Sequence, residues 1–197
     1  MIMDYTIMPA RKEHAASIAR AVITALGPEV PVEMAGGEEN LPKVTAMFTD
    51  LAARDDSQYS YLNSLVALDG KGEVAGALVS YDGARLHELR RAFIAAAARY
   101  LGWDPGMELP DETSADEIYL DSLAVFPPHR GQGLAARLIE GAARHHASSG
   151  KPLGLLCDPH NPRAKRLYER LGFRDVDRRF FMNEEMYHMQ KPPSHRP

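Results

Sequence analysis

"VFPPHRGQGLAARL", Val125–Leu138, decides how the rest of the chain is read. An apolar run gives way to two prolines, a basic residue and two glycines, and a helical pattern starts at once. A strand that passes through a glycine-rich turn into a helix gathers free backbone N–H groups and the positive helix end at one point, which makes an anion site. Gly131 and Gly133 remove side chains that would hold a phosphate away, Arg130 adds positive charge, and no carboxylate interrupts Phe126 to Arg137. A strand–helix connection that needs glycine only for its backbone angles has the same local pattern.

Outward from this loop the chain alternates extended and helical patterns. "DYTIMP" reads as a short strand ended by Pro9. Residues Arg11 to Leu26 carry Ala15, Ile18, Ala19, Val22 and Leu26 at helical spacing, closed by Gly27-Pro28. "PVEMAGGEEN" reads as a polar loop, and Leu41 to Ala53 as a second helix. Two β-rich runs flank Asp69-Gly70-Lys71-Gly72, which predicts a hairpin. Residues Arg85 to Leu101 form an amphipathic helix, followed by a long turn-rich loop to Asp116. Then come a strand from Glu117 to Val125, the quoted loop, a helix reaching Ser149, the strand "PLGLLC", a helix Arg163 to Leu171 and two late strands. One domain over 1–190 is expected, with 191–197 as a flexible tail.

Two ligand loops compete for the glycines. A P-loop fails because no Gly-Lys-Ser/Thr follows. The dinucleotide fingerprint G-x-G-x-x-A is met by Gly131, Gly133 and Ala136, with an acid at Asp158, and would imply a nicotinamide oxidoreductase. Against it, five residues from Phe126 to Arg130 separate the strand from the first glycine, and the fingerprint normally opens a larger set of βα units.

Arg130, Gly133 and Ala135 in "RGQGLA" also match an R/Q-x-x-G-x-G/A signature, and here the chain resembles the GNAT superfamily of N-acetyltransferases. "EIYLDSLAV" is similar to the family's fourth strand, "NPRAKRLYERLGF" to its downstream motif and "EMYHMQK" to its last strand. The resemblance implies an α/β (α+β) fold: a mixed, mostly antiparallel sheet of about seven strands flanked by helices, with a splay between the fourth and fifth strands. It implies acetyl-CoA as cosubstrate. The backbone of Arg130, Gly131, Gln132, Gly133, Leu134 and Ala135 would receive the pyrophosphate. Leu123, Ala124 and Val125 would bind the pantetheine arm, with Asn161, Ala164 and Tyr168 as further coenzyme contacts. A Val125 N–H aimed at the thioester carbonyl would stabilise the oxyanion.

The same resemblance gives Tyr168 a task, since a phenol beside the departing thiolate can return its proton. Helical spacing of Ala164, Leu167, Tyr168 and Leu171 fits plain packing as well. Asn161 before Pro162 reads as a helix cap. For the base that takes the amine's proton, strand alternation puts Glu117, Tyr119, Asp121, Leu123 and Val125 on one face. Asp121 is then the nearest carboxylate to the acetyl position, and Glu117 reads as an exposed strand charge. No metal site is expected: His145 and His146 point apart on a helix, and Cys157 with His160 lacks further ligands at zinc spacing.

Net charge of −4 over 197 residues, with Glu169 breaking the basic run "RAKRLYER", argues against a nucleic-acid partner. No apolar run nears the roughly 20 residues of a membrane span, and the N-terminal stretch lacks a signal-peptide core. A lone cysteine suits the cytoplasm. The expected partner is a small-molecule or peptide amine. The 85–116 insert, with Trp103, reads as acceptor-site wall, placing Trp103 near that pocket, as a homodimer surface, or equally as a surface insertion with no part in the site. A non-catalytic CoA-binding regulatory module on the same fold is the alternative to an enzyme.

Overall fold

A computed structural model describes residues 4–181 and 184–193. Strands β1 (Thr6–Pro9), β2 (Ser64–Leu68), β3 (Val74–Asp82), β4 (Ile118–Val125), β5 (Leu153–Cys157), β6 (Arg174–Phe181) and β7 (Glu184–Lys191) form one sheet, ordered β1-β2-β3-β4-β5-β7-β6. Every neighbouring pair is antiparallel except β4–β5. A doubly wound parallel sheet is thereby excluded, and the dinucleotide reading of Gly131 and Gly133 falls with it.

The helices are α1 (Ala15–Leu26), α2 (Glu29–Ala35), α3 (Leu41–Ala52), α4 (Leu86–Leu101), α5 (Leu134–His145) and α6 (Pro162–Arg170). The apolar stripe of α1 packs Ile18 and Val22, both fully buried, over β3 and β4. Helices α3 and α4 extend that layer with Phe48, Leu51, Leu89 and Phe93. On the opposite face α5 presses Leu134, Leu138 and Ile139 against Leu65, Leu78 and Leu120. Each such side chain contributes about 1.5–3 kcal/mol of burial.

Helix α2 replaces the polar loop expected from "PVEMAGG". Pro31 sits in its first turn, where an N–H has no intrahelical partner to lose. Gly36, at φ 69°, ends it by returning its N–H to Glu33. Two turns are too few to show a helical period. The hairpin follows the sequence: both the Lys71 and Glu73 N–H groups donate to Asp69 Oδ1 at 2.9 Å. Lys191, read as the start of a tail, is the last residue of β7 and pairs with Leu153. Residues 194–197 lie outside the described residues. Among the described residues no helix is long and apolar enough to cross a membrane.

Candidate active site

The site begins at an irregularity in β4. Val79 pairs with Ser122 and Ser80 with Leu120, so Asp121 is an extra residue on β4, a bulge. Side chains therefore change sides in mid-strand. Tyr119, Ala124 and Phe126 join the core under α1, whereas Leu120, Leu123 and Val125 pack toward α5. The single face predicted for the odd positions is corrected here, because the strict alternation it assumed stops at the bulge. Asp121 stays on the α1 side, beside Tyr81.

Beyond the bulge, β4 and β5 part. They pair only through Ile118–Leu153 and Tyr119–Gly154. The Phe126 N–H donates to Ala75 on the β3 side at 2.9 Å, so alternation turns the N–H groups of Leu123 and Val125 into the splay. A cleft of about 700 Å³ opens there. It is lined by Asp121, Leu123, Ala124 and Val125 of β4, by Arg130, Gly131 and Gly133 of the loop, and by Leu134 and Ala135 at the start of α5. Asn161, Ala164 and Tyr168 complete the sequence-predicted set; exposed Gln132 stands outside it. Thr24 and Ala25 of α1, Leu156 of β5, and Arg163 and Arg170 of α6 also line the cleft and were not anticipated individually. No local signal marks the α1 and β5 residues; the basic spacing of α6 marks the arginines.

At the loop, Gly131 and Gly133 have φ 76° and 75°, a region that disfavours side chains. A Cβ built at either would meet nothing within 4 Å, so the space above them is open for a ligand. The Arg130 side chain turns back, its Nε donating to the Val125 carbonyl at 2.9 Å. It holds the loop against the end of β4.

Across the cleft, Tyr168 lies edge-on to Phe173, ring centroids 5.8 Å apart. Burial, with a smaller effect from Cys157, pushes its phenol up to about 12, so it keeps its proton throughout the neutral range. Burial and Asp158 push the Cys157 thiol up to about 11. Asn161 Oδ1 accepts from the Ala164 N–H at 3.0 Å, the cap expected of it.

Asp121 accepts from Ser122 Oγ at 2.7 Å, Tyr81 Oη at 3.1 Å and Gln58 Nε2 at 3.3 Å. Burial raises its carboxyl above the usual range, although those donors and the Arg90 charge oppose the rise. A carboxylate made more basic at the inner end of the cleft is suited to receive a proton.

Glu117 departs from its reading as an exposed strand charge: it is fully buried. It accepts from Thr113 Oγ1 at 2.7 Å, His188 Nε2 and Gln190 Nε2 at 2.8 Å, and the Ser114 N–H at 3.1 Å. Burial alone would raise its pKa, but these donors outweigh it and hold the carboxyl at about 2. The carboxylate rests on Gly154, where any Cβ would fall 1.9 Å from Oε2. Glu117 thus ties the end of the insert to β4, β5 and β7.

Trp103 is not among the residues that line the cleft; it packs against the core on the α1 side of the sheet, the side that carries Tyr81. Its Nε1 donates to the Met34 carbonyl at 3.1 Å and its ring meets Phe93, pinning the loop after α4 to α2. The rings of His145 and His146 do not point apart; they touch edge to face at 4.8 Å, and His146 is bonded to Ser80 Oγ at 3.0 Å. Asp158, His160 and Glu184 bring ligand atoms within 4.8 Å of one another at the surface, all three exposed.

The sequence model of the acetyltransferase (GNAT) family matches residues 33–173, well over half the chain. This protein belongs to that family. A crystal structure described as an acetyltransferase is 28% identical with a TM-score of 0.77, the match covering 96% of this chain and 100% of the other. An N-acetyltransferase from Staphylococcus aureus Mu50 is 25% identical with a TM-score of 0.74, over 94% and 98%. The PaiA N-acetyltransferase of Thermoplasma acidophilum, solved in complex with coenzyme A, shares the fold at 12% identity and a TM-score of 0.60, over 96% and 99%. A comparison with curated proteins finds no match. Family and fold together make the chain an acyltransferase.

Proposed function

We propose that this protein is an acetyl-CoA-dependent N-acetyltransferase that acts directly on a primary amine, both substrates being bound together. The observation that carries the reading is the cleft itself, which runs from the glycine loop through the β4–β5 splay to Asp121. Acetyl-CoA supplies the acetyl thioester. The amides of the Arg130–Ala135 turn and the start of α5 face where its pyrophosphate would sit. Leu123 and Val125 offer N–H groups along the pantetheine arm. The Val125 N–H donates to the thioester oxygen as charge builds on it. Asp121 takes the proton released by the attacking amine. Tyr168 gives its proton to the departing sulfur, and its high proton affinity at rest keeps it charged with that proton. The lone buried cysteine supports a cytoplasmic setting.

The test combines calorimetric titration of acetyl-CoA and of NADH with a thiol-release screen over small amines, amino acids, aminoglycosides and peptide N-termini. Acetyl-CoA binding with amine-dependent thiol release is expected. Binding without release for any amine would make the protein a coenzyme-binding module instead.

A further inference from the structure

A chain of buried polar groups leads away from Asp121 into the insert. Tyr81 Oη lies 3.1 Å from Asp121 Oδ2 and 3.3 Å from Glu112 Oε1. Glu112 is 5% exposed and pairs with the equally buried Arg90. Arg90 also donates to Asp111 Oδ1 at 3.1 Å and to the carbonyls of Leu109 and Pro110 at 2.9 Å, and Asp111 meets His87 at the surface. A phenol has one hydrogen, so Tyr81 can serve only one of its two carboxylates at a time. Two carboxylates share that hydrogen, and one guanidinium offsets their charge.

We propose that Glu112, carried by the insert between α4 and β4, is a positioning residue that tunes Asp121 as a proton acceptor through the shared hydroxyl of Tyr81. The proposal rests on Asp121 being the base. At rest the Tyr81 hydrogen points to Asp121. When the acceptor nitrogen releases a proton, Asp121 takes it, the new carboxyl O–H donates to the Tyr81 oxygen, and the Tyr81 hydrogen turns to Glu112. The charge on the two carboxyls falls from two negative to one. Every hydrogen keeps an acceptor in both states, and without Glu112 the second state would leave the Tyr81 hydrogen buried without one.

The other groups facing this pair fit the assignment. Tyr119 from β4 and Tyr59 and Gln58 from the segment before β2 surround Asp121, while Arg90 from α4 is the cation that burial brings to both carboxyls. Burial raises Glu112 first and the Asp121 charge raises it further, against Arg90. The two carboxyls are thus electrostatically linked across the shared Tyr81 hydroxyl.

Titration of the Asp121 carboxyl by ¹³C NMR in aspartate-labelled protein tests this without any acceptor, the resonance being assigned by its loss in Asp121→Asn. Glu112→Gln should lower the Asp121 midpoint by about one pH unit, because a like charge is removed. Tyr81→Phe should raise it, because a donor to the carboxylate is lost. A packing role would not move the two in opposite directions. An unmoved Asp121 midpoint in Glu112→Gln overturns the inference, as does a downward shift in Tyr81→Phe. If Glu112→Gln does not fold, Glu112→Asp, which draws the carboxylate back from the Tyr81 hydroxyl, should also lower the Asp121 midpoint, and an unmoved midpoint there overturns the inference. Failure of the base reading shows separately, as undiminished amine-dependent thiol release in Asp121→Asn.

Discussion

Arg130 binds the Val125 carbonyl with its own side chain, closing the turn over the end of β4. The charge that looked like a phosphate ligand is first a brace for the backbone that offers the amides. Arg130→Ala should weaken acetyl-CoA binding by a modest factor, roughly fivefold for a lost hydrogen bond of about 1 kcal/mol. Calorimetry checks it; a loss of several hundredfold would mean that the guanidinium contacts phosphate directly.

Gly133→Asp, by contrast, should abolish coenzyme binding. It sets a carboxylate where the cleft is open, at a positive φ that aspartate tolerates better than most residues. Circular dichroism and melting should report a folded variant. Unchanged affinity for acetyl-CoA would remove the loop from the binding site.

Tyr168→Phe keeps the ring against Phe173 and removes only the hydroxyl. Coenzyme affinity and melting temperature should hardly change, while turnover falls by about 10²-fold. Equal turnover of the two proteins on a confirmed acceptor would return Tyr168 to packing.

Glu117 makes stability depend on acid. Its carboxyl titrates near 2 when folded, below the ordinary value of 4.5, so the stabilisation is full above pH 4.5 and is lost as pH falls toward 2. The depressed value corresponds to about 3 kcal/mol. Glu117→Gln should be destabilised at neutral pH, and the gap to the parent should narrow on acidification. Urea unfolding at pH 7 and pH 3 measures this; a gap that stays constant would show that the fold does not hold the Glu117 carboxyl below its ordinary value.

Trp103→Phe should lose the hydrogen bond to Met34 and about 1–2 kcal/mol of stability, leaving a carbonyl unpaired. Kinetics with acetyl-CoA should be preserved, because the indole is not part of the cleft lining. A raised KM for acetyl-CoA would show that α2 and the loop shape the site at a distance.

What could be read from the chain was local. The "HRGQGLA" turn and "NPRAKRLYERLGF" each fold within one strand–helix unit, so the positive-φ glycines and the Asn161 cap are legible in the sequence. Asp121 was named for a reason the fold does not honour: its side is set by a bulge that exists only because β3 pairs out of step there. Glu117 looked like a surface charge because two of its four donors, His188 and Gln190, come from β7, 71 and 73 residues away in sequence. Helix α2 hid behind Pro31 and two glycines.

The parting of β4 and β5 has a kinetic signature. Leu123 and Val125 lie in an interior strand of a seven-stranded sheet, yet their amides face open space where a neighbouring strand would stand. In deuterium oxide these two amides should exchange as readily as loop amides, while Ala124 between them is held by β3 and exchanges slowly. Saturating coenzyme should slow both to the rate of their neighbours, so that an alternating row of fast and slow amides becomes uniformly slow. A coenzyme entering there would break no strand pairing to reach them, and its binding energy would not be diverted into prising the sheet apart.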